Sequence, residues 1–275
     1  MLICIYSNCQ FDGIIPNLKK NLKNINIIQL ENYSYIIKKH KLPIEELSKV
    51  DVFIYQPIRK KHGIYSTVDN MPNIISYLPK KCLKISFPYI YNSGIWGLTK
   101  DAIKKDDGTT QGNRDCILEL KNKSLDDIID MYKNNKINFN YKKRFNSSLS
   151  KLIEKEKICN IKISDFIVSN IKKKKLFFTQ NHPTPFTFTH ICKQILDIIK
   201  LQYPEYIINS TYDYVSHNSL CRGPKWPICE SDIKYWEFEY ISKSEEGSDD
   251  YYIDLIIKYY NNIRRHNEGI EDVYY

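Results

Sequence analysis

Short apolar runs alternate with helix-like segments along the N-terminal third of the chain. The runs span residues 2–6, 25–30, 52–55 and 82–87, and each is only four to six residues long. That length is typical of a buried strand and too short for a buried helix. Because strands that alternate with helices favour βαβ units, the sequence predicts an α/β fold with an open, mainly parallel sheet flanked by helices.

The rest of the chain has mostly helical patterns. They cover residues 114–175, 186–200 and 251–264. Residues 176–179 (LFFT) predict one more buried strand, and Pro16 predicts a kink or an early stop in the first helix. We therefore predict a single α/β domain over residues 1–275, with helical insertions and a loop-rich, helical C-terminal extension from about residue 206.

The amino-acid composition limits what the net charge indicates about binding partners. The chain is 42% apolar, which is normal for a globular protein, and its net charge is +9. Ile, Lys, Asn and Tyr are over-used, as in proteins from AT-rich genomes, so part of that charge is background. The basic residues are spread along the chain without an arginine-rich arm, and nucleic acid is therefore not an expected partner. A basic surface still favours phosphorylated ligands.

The eight cysteines predict an intracellular protein with reduced, mostly buried thiols, since they form no CxxC pair. Cys221, Cys229 and His217 lack the close ligand spacing of structural zinc sites, so no metal is expected. No apolar run reaches the roughly 18 residues of a membrane span. The N-terminus lacks the basic region of a signal peptide, and we expect a cytoplasmic location. Nothing in the sequence indicates the oligomeric state.

Polar motifs follow three of the predicted strands at the point where each strand ends. They are SNCQ at 7–10, QPIR at 56–59 and QNHP at 180–183. In an open parallel sheet, ligands bind at the carboxyl ends of the strands. The three motifs therefore predict one shared site.

Cys9 and His182 are the reactive groups of these motifs. Cys9 is expected at the start of a helix, where the helix dipole and free N–H groups lower the pKa of a thiol. His182 lies in a loop stiffened by Pro183 and Pro185, and its imidazole suits a general base. The residues alone leave two alternatives open, a buried structural cysteine and a histidine that caps the next helix.

Gln56, Arg59 and Lys60 are candidates for binding. The amide of Gln56 and the backbone N–H of Cys9 are suited to stabilise an oxyanion, although Gln56 is equally suited to cap a turn. Arg59 and Lys60, or the lysine run at 172–175, are suited to hold phosphates, although such runs are commonly solvated. Neither GxGxxG nor GxxxxGK[ST] occurs, which disfavours P-loop ATPases and Rossmann dehydrogenases.

The order of these motifs resembles a known family. A first strand running into NCQ, then DVFIYQPI and later LFFTQNHPT resembles the WcbI-type polysaccharide biosynthesis family over residues 1 to about 205. The resemblance implies a coenzyme A-binding acetyltransferase of capsular and surface-glycan synthesis, with an SGNH/flavodoxin-like core. Related domains occur in large DNA viruses that glycosylate their surface fibres, and such a member would act in the host cytoplasm.

The resemblance also assigns residues. Cys9 and Gln10 match the family's Cys-Gln, Gln56 matches its strand-end Gln, and His182 begins its His-Pro. Ser7 departs from the glycine that usually precedes Asn-Cys-Gln, which puts the geometry of the turn in question.

The arrangement is also similar to the SGNH esterase plan, which has a nucleophile after the first strand and a late His-Pro. Thr179 stands where that plan has an aspartate, so a full catalytic triad is not predicted.

We therefore predict acetyl transfer from acetyl-CoA to a sugar, either to an amino group or to a glycan hydroxyl of a nucleotide-linked or polymer-bound acceptor. The predicted catalytic residues are Cys9, His182 and Gln56. The predicted binding residues are Ser7, Asn8, Gln10, Arg59, Lys60, Asn181, Pro183 and Thr184.

Two mechanisms and two other functions remain open. The acetyl group passes through the Cys9 thiolate, or His182 deprotonates an acceptor that attacks the thioester directly. The alternative functions are a non-catalytic CoA- or glycan-binding module and an SGNH-like esterase that removes acyl groups from glycans.

Overall fold

The computed structural model describes most of the chain. The described residues are 1–68, 72–98, 122–209, 211–213, 215–223, 225–241 and 249–267. They fall into two compact units. The first unit contains Met1–Ile90, Lys151–Asn170 and Lys175–Pro224, and the second contains Tyr91–Ser150, Ile171–Lys174 and Lys225–Tyr275. Part of the predicted helical region 114–175, namely 114–121, lies outside the described residues. The single domain over 1–275 stays a prediction.

A four-stranded parallel sheet forms the centre of the first unit. Its strands are β1 (Leu2–Ser7), β2 (Asn26–Glu31), β3 (Val52–Tyr55) and β4 (Leu83–Ser86). They confirm the four strands and the α/β class predicted from the apolar runs. The spatial order is β2-β1-β3-β4, with every neighbouring pair parallel. The strand order reverses between β1 and β3, and ligands bind at such a switch point in open α/β sheets.

Helices precede and follow these strands in the described part of the chain. They are α1 (Phe11–Asn21), α2 (Asn32–Lys38), α3 (Ile44–Leu47), α4 (Leu125–Lys133), α5 (Tyr141–Glu156), α6 (Ser164–Asn170), α7 (Pro185–Gln202), α8 (Glu230–Trp236) and α9 (Asp249–Asn267). Short 3₁₀ helices span Lys60–Tyr65, Ile74–Tyr77, Pro204–Tyr206 and Ser219–Arg222. The predicted amphipathic helix is α7 and the predicted closing helix is α9.

Helix α1 continues through Pro16, so the early stop predicted there is wrong, whereas the kink stays a prediction. A proline inside a helix costs about 3 kcal/mol. The helix also buries Ile14 and Leu18 completely and packs against α7, and each buried side chain of this size contributes about 1.5–3 kcal/mol. Gly13 allows the close approach, because a Cβ there would lie 2.1 Å from the ring of Phe188. Tertiary packing outweighs the local penalty.

The hydrophobic core lies on both faces of the sheet. Cys4 and Tyr6 of β1 belong to a buried cluster with Phe53 of β3. Successive strand residues point to opposite faces, so Ile3 and Ile5, which are also fully buried, face the other side. Seven described cysteines are free thiols, and five of these are buried. The sheet is covered on both faces, as a parallel sheet requires.

The predicted strand at 176–179 forms as β5 (Phe177–Thr179), but it lies outside the parallel sheet. It pairs antiparallel with β6 (His182–Pro183) in a two-stranded ribbon. Only two residues connect these strands, and so short a connection can join only antiparallel strands. The expectation that a strand of the parallel sheet carries the third motif is therefore wrong, and the ribbon carries it instead.

A buried carboxylate organises the second unit. Asp232 of α8 is 0% exposed and accepts hydrogen bonds from the hydroxyls of Tyr141 at 2.7 Å and Tyr252 at 2.8 Å. It also accepts from the backbone N–H groups of Gly97 at 2.8 Å and Cys229 at 2.9 Å. Burial raises the pKa of Asp232 to about 6. Three of the four donors come from α5, the start of α8 and α9, so this residue connects these three helices.

Candidate active site

Cys9 lies in the turn that joins β1 to α1. The backbone N–H of Phe11 donates to the carbonyl of Asn8 at 3.2 Å, and that of Asp12 donates to the carbonyl of Cys9 at 3.1 Å. The Cys9 thiol is partly exposed. Ser7 is the last residue of β1, is buried, and donates from Oγ to the carbonyl of Asn8 at 2.9 Å. The turn therefore forms with serine in the place of the family's glycine.

His182 meets Cys9 across 173 residues of sequence. Its Nε2 lies 3.6 Å from Sγ of Cys9, within hydrogen-bond distance for sulfur. The imidazole belongs to the first residue of β6 in the β5–β6 ribbon. Thr184, the residue before α7, fastens the ribbon by donating from Oγ1 to the carbonyl of Lys175 at 2.8 Å. Pro183 and Thr184 are both buried. The structure thus brings together the cysteine and the histidine that the motifs singled out.

The Cys9 thiol is protonated at neutral pH. Burial raises its pKa to about 11, with further contributions from the carboxylates of Asp12 and Glu31, and its own backbone N–H acts weakly in the opposite direction. The expectation of a thiol pKa lowered by the helix is therefore wrong. Helix α1 begins two residues further on, at Phe11, and the charges of Asp12 and Glu31 disfavour the thiolate. The imidazole of His182 is in place to accept the thiol proton.

This protonation state makes alkylation of Cys9 strongly pH-dependent. In both the wild-type protein and the His182→Ala variant we expect the rate of iodoacetamide alkylation to rise with pH towards about 11, since the thiolate is the more reactive form. At neutral pH the wild-type rate should still exceed that of the variant, because His182 takes the proton from the thiol while the sulfur attacks. Peptide mass spectrometry of timed reactions measures both rates. A variant thiol that titrates near neutral pH would contradict the assigned state.

Two buried glutamines connect the strand ends around this pair. Gln56 accepts at Oε1 from the N–H of Asn8 at 3.0 Å and donates from Nε2 to Oε1 of Gln10 at 3.0 Å. Gln10 donates from Nε2 to the carbonyls of Ile90 at 2.7 Å and Asn181 at 2.9 Å. Gln10 is 0% exposed, and its amide is engaged within the protein.

A cavity of about 480 Å³ opens at the switch point beside the turn. It is lined by Asn8, Asn32, Tyr33, Gln56, Pro57, Ile58, Arg59, Val68, Pro88, Tyr89, Lys155 and Ile158. Nζ of Lys155 lies 4.8 Å from the centre of the Tyr89 ring. Partial burial lowers the pKa of Lys155, and the charges of Lys151 and Arg59 lower it further. The cavity thus combines apolar and aromatic walls with two cations. Lys60 is exposed on the 3₁₀ helix that follows Arg59.

Three charged residues of the site were missed by sequence reasoning. Asp12 lies in the first turn of α1 and its charge acts on both Cys9 and His182. Glu31 ends β2 and pairs in register with Ser7. The rule that strand ends carry functional groups would have found Glu31. Lys155 comes from α5, and nothing in the sequence connects this lysine with the cavity.

Thr179 and Asn181 complete the surroundings of the histidine. Thr179 is buried and donates from Oγ1 to Oδ1 of Asn181 at 3.1 Å. The carboxylate of Asp12 interacts electrostatically with His182. Among the residues that the structure describes, no group of three His, Cys, Asp or Glu side chains is arranged to hold a metal ion. In the same part of the chain, no helix has both the length and the apolar character needed to cross a membrane.

The comparisons with known proteins agree with this architecture. The family model described as polysaccharide biosynthesis enzyme WcbI matches residues 2–204. A solved structure of WcbI, described as a novel polysaccharide biosynthesis enzyme, is 16% identical with a TM-score of 0.56 and covers 96% of this chain and 90% of that one. That structure is described as the native protein without a disulfide bond between coenzyme A and a cysteine. No curated protein matches the chain. At this identity the structural likeness shows the fold, whereas the family model spans most of the sequence. The chain therefore belongs to the WcbI family of polysaccharide biosynthesis enzymes.

Proposed function

We propose that this chain transfers an acetyl group from acetyl-CoA to a sugar during polysaccharide biosynthesis. The observation that carries the proposal is the 3.6 Å contact between Sγ of Cys9 and Nε2 of His182. This contact lies at the switch point of a parallel sheet, one residue along the chain from the cavity-lining Asn8. A nucleophile or acceptor beside a positioned base is the arrangement that acyl transfer requires.

The cavity supports coenzyme A as the donor. Its volume of about 480 Å³ is within the usual range of small-molecule sites. Arg59 and Lys155 supply positive charge for phosphate groups, and Tyr33 and Tyr89 supply aromatic surface for a purine ring. The two cations repel each other, and a bound phosphate would relieve that repulsion. The description of the WcbI structure, which names coenzyme A, supports the same donor.

His182 acts as the base in the reaction that we propose. Its Nε2 takes a proton from the acceptor while the acceptor attacks the thioester carbonyl carbon. The carbon–sulfur bond then breaks, and His182 returns the proton to the departing sulfur. Gln56 donates one amide proton to Gln10, and we assign its other amide proton to the oxyanion. We favour this direct route over an acetyl-Cys9 intermediate, because the raised pKa of Cys9 keeps it as a thiol.

The acidic residues around the pair favour an amino sugar over a hydroxyl acceptor. Asp12 and Glu31 both lie close enough to Cys9 to raise the pKa of its thiol. Their negative charge attracts a protonated amine, which loses one proton to solvent and then attacks as the neutral amine while His182 takes a second proton. We propose that the acceptor is an amino sugar, linked to a nucleotide or to a polymer. Assays of acetyl transfer with matched amino and hydroxy sugars test this choice.

Coenzyme A binding tests the donor directly. We expect acetyl-CoA to raise the melting temperature of the wild-type protein, and we expect Arg59→Ala and Lys155→Ala each to raise the Kd about tenfold. A charged hydrogen bond of roughly 1.5–3 kcal/mol is lost in each variant and is partly screened by solvent. Isothermal titration measures the change. Lys61→Ala, an exposed lysine of the neighbouring 3₁₀ helix, is the matched control and should leave the Kd unchanged.

The same titration separates the alternatives. If acetyl-CoA neither binds nor stabilises the wild-type protein, the transferase is excluded and the SGNH-like esterase becomes the better function. That enzyme would release acetate from an acetylated glycan without coenzyme A. A binding module would instead bind acetyl-CoA, keep its affinity in Cys9→Ala and His182→Ala, and show no transfer with any acceptor.

A further inference from the structure

Gln10 connects the segments that carry Cys9 and His182. Its buried amide donates to the carbonyl of Asn181 at 2.9 Å and to the carbonyl of Ile90 at 2.7 Å. Asn181 immediately precedes His182 in the β5–β6 ribbon, and Gln10 immediately follows Cys9. One side chain therefore ties the backbone beside the histidine to the backbone beside the cysteine, across 171 residues of sequence.

The oxygen of the same amide closes the turn around Cys9. Gln56 donates from Nε2 to Oε1 of Gln10 at 3.0 Å, and Oε1 of Gln56 accepts from the N–H of Asn8 at 3.0 Å. The backbone N–H of Gln10 donates to Oδ1 of Asn8 at 3.1 Å. These bonds form a ring that holds the residues on both sides of Cys9. The backbone that carries the thiol is thus held from both ends of the turn.

We infer that Gln10 is a positioning residue, which sets the distance between Sγ of Cys9 and Nε2 of His182. This inference rests on the proposed function, in which His182 is the base and Cys9 shapes the site beside it. Gln10 is 0% exposed and acts through its neighbours. Proton transfer requires hydrogen-bond distance, and a displacement of about 1 Å from the present 3.6 Å would remove the contact.

Residue 10 must supply both a hydrogen-bond donor and a hydrogen-bond acceptor, and the amide of glutamine has both. Nε2 meets two carbonyl oxygens, while Oε1 meets the N–H of Ile90 at 3.2 Å and the amide of Gln56. In Gln10→Glu the shape is kept, but an ionised carboxylate has no proton for the carbonyls of Ile90 and Asn181. In Gln10→Met the volume is kept and all of these bonds are lost. The two variants separate the hydrogen bonds from the packing.

The experiment measures alkylation of Cys9 by iodoacetamide, with peptide mass spectrometry to resolve it from the other cysteines. It uses Gln10→Glu and Gln10→Met at several pH values near neutrality. We expect the alkylation rate to fall about tenfold, towards that of His182→Ala, because the imidazole no longer reaches the thiol. Asn21→Ala is the matched control. Asn21 is a buried amide at the far end of α1 that accepts from the N–H of Asp213 at 2.8 Å.

Each outcome decides the inference. A fall in both Gln10 variants, with Asn21→Ala within about twofold of wild type, supports positioning, since a general loss of stability would affect the control as well. If Gln10→Glu does not fold, Gln10→Met decides alone. Rates that stay at the wild-type value in a folded variant overturn it. The assay contains no coenzyme A, so failure of the proposed donor leaves this result intact.

Discussion

Replacement of His182 by alanine is expected to lower the turnover number of acetyl transfer by about 10²–10⁴-fold, with little change in the Kd for acetyl-CoA. That range is the usual contribution of a positioned general base. Nε2 of His182 lies 3.6 Å from Sγ of Cys9, whereas the binding cavity is lined by other residues. The variant should therefore bind the donor and fail in proton transfer. Steady-state kinetics with an amino sugar acceptor, together with calorimetric titration of acetyl-CoA, measure the two effects.

A second histidine provides the control for this substitution. His190 lies on α7 and stacks on Phe166 with ring centres 4.2 Å apart. His190→Ala should change the turnover number by less than about threefold, because its contacts are structural. An unchanged turnover number in His182→Ala would remove this histidine from the reaction.

Cys9 separates the two mechanisms. In the direct route Cys9→Ala keeps a measurable part of the activity, since the sulfur only shapes the site. In the covalent route the same substitution abolishes transfer, and mass spectrometry of the trapped wild-type protein shows an acetyl group on the thiol. The pKa of about 11 favours the first result.

Local sequence signals predicted the parts of the site that lie at strand ends. The run that ends at Tyr55 and the run that ends before Ser7 were recognisable as buried strands, so Gln56 and Cys9 could be placed at one edge of a sheet. The order of the motifs then placed His182 in the same predicted site as Cys9. Both steps use residues close together in the sequence or the order of motifs along it, and the 3.6 Å contact agrees with them.

The other features of the fold and of the site depend on contacts between segments that are distant in the sequence. Local sequence patterns do not contain that information. An apolar run such as residues 176–179 has the same sequence pattern whether its strand lies in a parallel sheet or in a two-stranded ribbon. The short turn at 180–181 determines that the ribbon forms. The helix dipole alone predicts an acidic thiol at Cys9. The raised pKa comes first from burial of the thiol, and the charges of Asp12 and Glu31 add to it. The position of Glu31 next to β1 follows from the register of two strands. Lys155 reaches the cavity only because α5 ends there.

One buried carboxylate, that of Asp232, connects α8 and α9 in the C-terminal region beyond the family match. We expect Asp232→Ala to lower the free energy of unfolding by about 3–5 kcal/mol, because each buried donor left without an acceptor costs about 1–3 kcal/mol and water partly replaces the lost bonds. The donors are the hydroxyls of Tyr141 and Tyr252 and the N–H groups of Gly97 and Cys229. Urea unfolding followed by tryptophan fluorescence measures the change.

Asp130, an exposed aspartate on α4 of the same unit, is the matched control, and Asp130→Ala should change the free energy of unfolding by less than about 0.5 kcal/mol.

The pH dependence of the free energy of unfolding adds a second readout. The pKa of Asp232 is raised from 3.8 to about 6, so the folded state binds its proton more tightly than the unfolded state. Its contribution is full below the unfolded pKa and is lost as the pH rises through about 6. Wild-type protein should lose stability over that interval relative to Asp232→Ala. A constant difference between the two proteins would show that the carboxylate is ionised throughout, and equal stabilities would show that the network does not anchor α8 and α9.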